Sequence, residues 1–302
     1  MMQASRLSMT APRLLRPLMS AVLAALVGCG GGSVGATPQG ASPAAAPAAP
    51  AASTWALLWS DEFDGPAGSS PNPAFWNHDL GNQENNGWGN HELQYYSASN
   101  RNSFIDGKGF LVLKAEPSAD AGLCWNSKPC AYTSARIQSQ GKFSFTNGKI
   151  EARIKVPSGQ GLWPAFWSLG ADKLPWPEVG EIDIMEFVGK TPNAAYGTAH
   201  GPGYSGAQGI GKPFEFKQAV AEDFHVFSII KRPNEIIWLI DGQQYHRLTP
   251  ASLPAGSSWV FERPFYLILN LAVGGDWPGS PDASTAFPAQ MSVDWVRVYK
   301  EN

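Results

Sequence analysis

Long apolar runs are nearly absent from this 302-residue chain. The one marked run, 18–27, is too short to span a bilayer comfortably. Charge is also sparse. Charged residues make up 16% of the chain against 12% aromatic residues, which excludes a disordered polyelectrolyte and a coiled coil. No basic excess exists either. Of the 22 Lys and Arg, three (Arg6, Arg13, Arg16) precede residue 54, which leaves 19 against 25 acidic groups over 54–302, a net charge of −6. That sign argues against nucleic-acid binding through charge. There is no phosphate loop, no nucleotide fingerprint and no His/Cys metal cluster, and from Trp55 onward no convincing run has helical period.

The N-terminal segment is of a different kind. Residues 1–28 read as an export signal, with three arginines ahead of the apolar run. The run ends in Leu26-Val27-Gly28-Cys29, which resembles the bacterial lipobox, whose cysteine receives lipid; the alternative is an ordinary signal peptide with an incidental cysteine. Of the 24 residues 30–53, 21 are Ala, Pro, Gly or Ser and none is charged, the composition of a semi-flexible tether. The expectation is export and lipid anchoring at Cys29 in an outer membrane or at the cell surface, the alternative being a periplasmic or secreted protein. With Cys29 so assigned, Cys124 and Cys130 form an even pair, which in an exported chain favours a disulfide closing a small loop.

The remaining 249 residues, 54–302, can bury a large core as one domain. Segments 110–115, 149–156, 181–188, 224–231, 235–240, 265–271 and 292–299 are short and rich in β-branched and aromatic residues, as strands are. Asp241-Gly242 reads as a two-residue hairpin turn. Many strands without crossover helices predict an all-β, antiparallel, two-sheet sandwich. All 12 tryptophans fall in this domain, more than a core requires, which suits a stacking surface for flat neutral ligands such as sugars.

The most informative segment is Glu181-Ile182-Asp183-Ile184-Met185-Glu186. Its apolar residues mark a buried strand, yet burying ionised carboxylates is costly without partners. On a regular strand Glu186 points away from Glu181 and Asp183; one extra residue, a β-bulge at Ile184-Met185, turns it back so that all three acids line one cleft. Such a set suits a retaining glycosidase, which needs a carboxylate nucleophile and a carboxylic acid flanking the scissile bond. A neighbouring aspartate would help keep the acid protonated, because nearby like charges raise a carboxyl pKa.

This segment resembles the signature of glycoside hydrolase family 16, in the bulged form of bacterial laminarinases (endo-1,3-β-glucanases). Trp59-Ser60-Asp61-Glu62-Phe63, Asn90-His91-Glu92-Leu93-Gln94-Tyr95-Tyr96, Tyr132-Thr133-Ser134-Ala135-Arg136-Ile137, the stretch 159–167, Leu269-Asn270-Leu271-Ala272-Val273-Gly274-Gly275 and Val293-Asp294-Trp295-Val296-Arg297-Val298-Tyr299 also match, in order, across essentially all of 55–300. The resemblance implies a concanavalin A-like β-jelly roll with an open concave cleft. It implies Glu181 as nucleophile, Glu186 as general acid/base and Asp183 as assisting carboxylate, and no cofactor for catalysis. Trp163 and Trp167, four apart and on one face of a strand, are expected to form a sugar platform. Asn90, Arg136 and Asn270 are expected to bind hydroxyls, with Trp88 of a Gly-rich loop in contact with sugar, Trp176 and Trp277 at the cleft walls and His200 on the leaving-group side of the acid/base. A structural ion pair is the alternative for Arg136. A structural Ca²⁺ held by Glu62, the Gly109 carbonyl and Asp294 is common in the family.

The expected substrate is neutral β-glucan, cut internally at β-1,3 bonds by a protein that acts as a monomer and meets a membrane only through its lipid. Mixed-linkage 1,3-1,4-β-glucan hydrolysis, galactan hydrolysis and transglycosylation are the alternatives inside the family. A non-catalytic β-glucan-binding protein is the alternative of another class, set against the retention of both glutamates.

Overall fold

The structure, a computed structural model, describes residues 54–119 and 121–302. The expected signal segment, Cys29 and the tether lie outside the described residues. The described chain forms two packed sheets, with strands numbered in chain order. The outer sheet contains β1 (Trp55–Asp61), β3 (Gln94–Tyr96), β4 (Ser103–Ile105), β5 (Leu111–Pro117), β6 (Tyr132–Ser134), β8 (Gly148–Lys155), β13 (His225–Arg232), β14 (Glu235–Ile240), β15 (Gln243–Leu248) and β17 (Ala289–Glu301). The inner sheet contains β2 (Asn77–Asp79), β7 (Arg136–Gln138), β9 (Leu162–Gly170), β10 (Glu181–Glu186), β11 (Ala194–His200), β12 (Ile210–Glu215) and β16 (Phe265–Val273).

The spatial order is β15-β14-β13-β8-β17-β5-β6-β3 outside, with β1 on β17 and β4 on β5, and β12-β11-β10-β9-β16-β7-β2 inside. Among the described residues every strand pair is antiparallel except β3 with β6. This is the two-sheet sandwich that the patterning predicts, in the jelly-roll form that the resemblance implies.

Alternation decides what each strand buries. On β16, Phe265, Leu267, Leu269, Leu271 and Val273 enter the core between the sheets, while Tyr266, Ile268, Asn270 and Ala272 form the floor of the cleft. Truncating Leu269 to Ala would cost about 2–5 kcal/mol, the usual penalty for such a buried cavity. Strand β17 is longer than its sequence pattern suggests because β1, β5 and β8 all pair along it. The turn Asp241-Gly242 has φ of 50° and 78°, the left-handed pair that a two-residue hairpin requires. Pro213 lies in β12, at the sheet edge, where its missing N–H breaks no inner ladder.

Candidate active site

Strand β10 runs between β9 and β11. The ladder is regular through Asp183: Glu181 stands opposite His200 and Leu169, and Asp183 opposite Thr198 and Trp167. It then slips, and Met185 meets Phe166 while Glu186 meets Ala165 and Tyr196, which leaves Ile184 as the extra residue. Ile182, Ile184, Met185 and Phe187 are all in the core. The bulge therefore sends two consecutive side chains inward and returns Glu186 to the face of Glu181 and Asp183.

The three acids sit in different surroundings. Glu181 is half-buried, and the indole Nε1 of Trp176 donates to its Oε2 at 2.6 Å. Asp183 is 2% exposed and stands 3.1 Å from Nε2 of His200, the only ion-pair partner of the three acids among the described residues. Burial, then the charge of Glu181, then a hydrogen bond with the Glu181 carboxyl hold the pKa of Asp183 well above the usual carboxylate range. A carboxyl–carboxyl hydrogen bond needs a proton, and Asp183 is the group that keeps one. Glu186 is also pushed well up, by desolvation first and then by the charges of Asp183 and Glu181. His200 and the indole of Trp163, which donates to Oε1 of Glu186 at 3.1 Å, pull it back part of the way. Glu186 is thus the group placed to hold a proton at rest.

Aromatic and polar side chains line the rest of the cleft face. Trp163 and Trp167 rise from β9 on the same side, as their spacing requires. Trp277 packs edge-on to Trp163 and to Tyr196, with ring centres 5.5 and 5.1 Å apart. The Arg136 guanidinium lies between the rings of Trp88 (4.4 Å) and Trp167 (4.8 Å) and is 2.8 Å from the Asp79 carboxylate. Arg136 is thus ion-paired while its guanidinium stands on the cleft face.

Trp88 occupies a strained loop. Its φ is +59°, a conformation that costs a non-glycine residue roughly 1–2 kcal/mol. The ring is fixed by donation from Nε1 to the Gly81 carbonyl (3.2 Å) and by packing on Tyr96. Gly87 lets the neighbouring loop approach: a Cβ there would lie 2.6 Å from the Trp125 ring. Trp125 belongs to the loop closed by the Cys124–Cys130 disulfide, and its N–H donates to the Asn82 side chain at 2.8 Å. The bridge therefore buttresses the segment that carries Trp88 and Asn90.

The structure departs from some expectations. Asn270 is 7% exposed and its amide is partly engaged: its oxygen accepts from Trp167 Nε1 (2.7 Å) and one of its two N–H groups donates to the Tyr96 hydroxyl (3.1 Å). It holds Trp167 in place. His200 stands opposite Glu181 and against Asp183, at the Glu181 end of the constellation. The residues expected to hold Ca²⁺ do not fit the ion as they stand: Glu62 takes two hydrogen bonds from Arg297 (3.0 and 2.7 Å) and Asp294 is 2.6 Å from Arg153, so both carboxylates already have a cation. Sequence reasoning missed Asp79, Tyr196 and above all Glu92. The signal for Glu92 was present in Glu92, Gln94 and Tyr96, polar at every second position from the end of the preceding turn into β3.

Comparison with known proteins follows the same lines. The sequence profile described as Glycosyl hydrolases family 16 matches residues 85–297. An endo-β-1,3-glucanase of Pyrococcus furiosus has a solved structure 47% identical to this chain, with a TM-score of 0.76, covering 82% of this chain and 95% of that one. The laminarinase catalytic domain of Thermotoga maritima is 45% identical with a TM-score of 0.76, covering 82% and 99%. A beta-glucanase of Rhodothermus marinus is 40% identical over 256 residues, which span 82% of this chain and 85% of that protein.

Proposed function

Because the chain belongs to glycosyl hydrolase family 16, we propose that this cleft hydrolyses internal β-1,3 bonds of glucan with retention of configuration. The observation that carries this reading is the bulged strand β10, which gathers Glu181, Asp183 and Glu186 on one face with no lysine or arginine among the described residues paired to them. In the first step Glu186 donates its proton to the departing glycosidic oxygen while an oxygen of Glu181 bonds the anomeric carbon. The negative charge of Glu181 helps to raise Glu186, and ester formation removes that charge. The pKa of Glu186 then falls, and the same group takes a proton from the water that breaks the ester. Asp183 steers the free oxygen of Glu181 through its proton, and His200 and Trp176 hold the pair from either side. No step calls for a cofactor.

Incubating residues 54–302 with laminarin, mixed-linkage β-glucan and agarose, with Glu181→Gln as control, tests this. Release of mixed oligosaccharides from laminarin, lost in the variant, is expected. Cleavage of agarose alone would move the substrate, and binding without cleavage of any polymer would favour a lectin-like protein.

Two finer readings rest on the sequence. The leader, Cys29 and the tether support a lipid-anchored exported protein at the outer membrane or cell surface. Its test is incorporation of labelled fatty acid, lost in Cys29→Ala. A structural Ca²⁺ at Glu62, Gly109 and Asp294 would have to displace Arg297 and Arg153. A Ca²⁺-dependent rise in melting temperature, absent in Glu62→Gln, would establish it.

A further inference from the structure

Glu92 is a buried acid to which the reaction above gives no part. It is 5% exposed and sits at the end of a chain of hydrogen bonds that all point toward it. Trp167 Nε1 donates to Asn270 (2.7 Å), Asn270 Nδ2 donates to the Tyr96 hydroxyl (3.1 Å), and that hydroxyl donates to Glu92 Oε2 (3.3 Å). Gln94 Nε2 donates to the same oxygen at 2.5 Å, and Asn90 Nδ2 donates to Oε1 at 3.4 Å. A row of donors needs an acceptor-only group at its end, and an ionised carboxylate is the side chain that accepts at both oxygens without donating.

We propose that Glu92 is the positioning residue for the half of the cleft on the β16–β7 side, fixing Asn90 directly and Trp167 through Tyr96 and Asn270. This inference rests on the glucanase reading of the cleft. It assigns ground-state sugar binding to Glu92, while bond cleavage stays with the residues of β10. Asn90 and Trp167 are two of the residues that face the sugar, and Arg136, stacked on Trp167, is held by the same arrangement.

The charged and titratable groups facing Glu92 are Arg136 from β7, which lowers its pKa, and Tyr96 from β3, whose hydroxyl bonds it. On the adjoining loops His91 and Asp276 are paired with each other at 2.9 Å. Burial dominates and brings Glu92 to about 7. Below that pH one of the two oxygens carries a proton and turns from acceptor to donor, so the three donors no longer find acceptors at both oxygens. Sugar binding therefore weakens as pH falls through about 7.

The test is the binding of a β-1,3-linked glucose hexamer to the inactive Glu181→Gln protein, with and without Glu92→Gln, from pH 5.5 to 8.5. In parallel, kcat and KM are measured with Glu92→Gln alone. In Glu92→Gln the amide nitrogen faces the Asn90 donor, so binding should weaken and KM rise by about tenfold at pH 8, the loss of one hydrogen bond to a charged group. The expected kcat stays within about twofold, and the pH dependence of binding between 6 and 8 disappears. Tyr96→Phe, which cuts the chain one link further out, should raise KM less, and combined with Glu92→Gln it should add less than its separate effect. Unchanged KM in Glu92→Gln, or a fall in kcat alone, overturns the proposal. If Glu92→Gln does not fold, unchanged KM in Tyr96→Phe overturns it equally. Failure of the parent protein to bind or cleave the hexamer would instead remove the glucanase reading itself.

Discussion

The outer sheet and strand β10 treat carboxylates in opposite ways. On the outer sheet and its flank, Glu62 has Arg297, Asp294 has Arg153, Glu151 has Lys149, Glu301 has Arg232 and Glu235 has Arg247, each within 3 Å. In the cleft, Glu181, Asp183 and Glu186 share one histidine. The consequence appears in the proton equilibria. The guanidinium of Arg297 lowers Glu62, whereas burial and mutual repulsion raise Asp183 and Glu186. One residue type thus makes an ordinary ion pair on the outer sheet and a proton-holding acid on β10. What differs is access to water and to a cation.

Several substitutions break or sharpen this contrast. The largest effect belongs to the acid itself. Glu186→Gln should lower kcat by about 10²–10⁴ on a glucan with a poor leaving group, measured as new reducing ends. Asp183→Asn comes next: it replaces the protonated carboxyl that steers Glu181, so kcat falls, by less than for Glu186→Gln. Trp163→Phe should shift the alkaline limb of the rate profile. Its indole lowers Glu186, and without it the alkaline limb moves to higher pH, with a rate loss of up to about tenfold.

The raised acids also bear on stability. Because Asp183 and Glu186 bind protons more tightly when folded, the unfolded chain loses its protons first as pH rises above about 4.5. The stability these groups lend is fully present below that pH and is lost as pH climbs toward their folded values. Glu186→Gln should therefore melt higher than the parent at pH 7 and nearly level with it at pH 4, by calorimetry. The smallest effect lies on the outer sheet. Glu62→Gln should cost about 0–1 kcal/mol in denaturant unfolding and leave kcat/KM unchanged, as for other exposed ion pairs.

The sandwich and the heart of the site were legible in the sequence because both follow from local rules. Alternation exposed the strands, and three acids among isoleucines and a methionine implied the bulge. The spacing of Trp163 and Trp167 put them on one face. The short strands β2, β3, β4, β6 and β7 escaped because three residues carry no period. Residues whose role depends on distant partners escaped as well. The second role of Asn270, holding Trp167, shows only when Tyr96, 174 positions away, accepts one of its N–H groups and Trp167, 103 positions away, donates to its oxygen. Glu62 and Asp294 look like free metal ligands until Arg297 and Arg153 are brought beside them by pairing of distant strands. Glu92 lay among its three donors, Asn90, Gln94 and Tyr96, but the alternation alone does not show that all three turn toward one buried carboxylate.

The central claim is that two carboxylates returned to one face by the Ile184 bulge perform a double displacement. The most direct test is the anomeric form of the first product, followed by proton NMR during rapid cleavage of a β-1,3-linked glucose oligosaccharide, with Glu181→Gln as the control. The β anomer appearing first and mutarotating later, with no product from the variant, is the predicted result. An α anomer appearing first, or cleavage that survives loss of Glu181, would contradict the account.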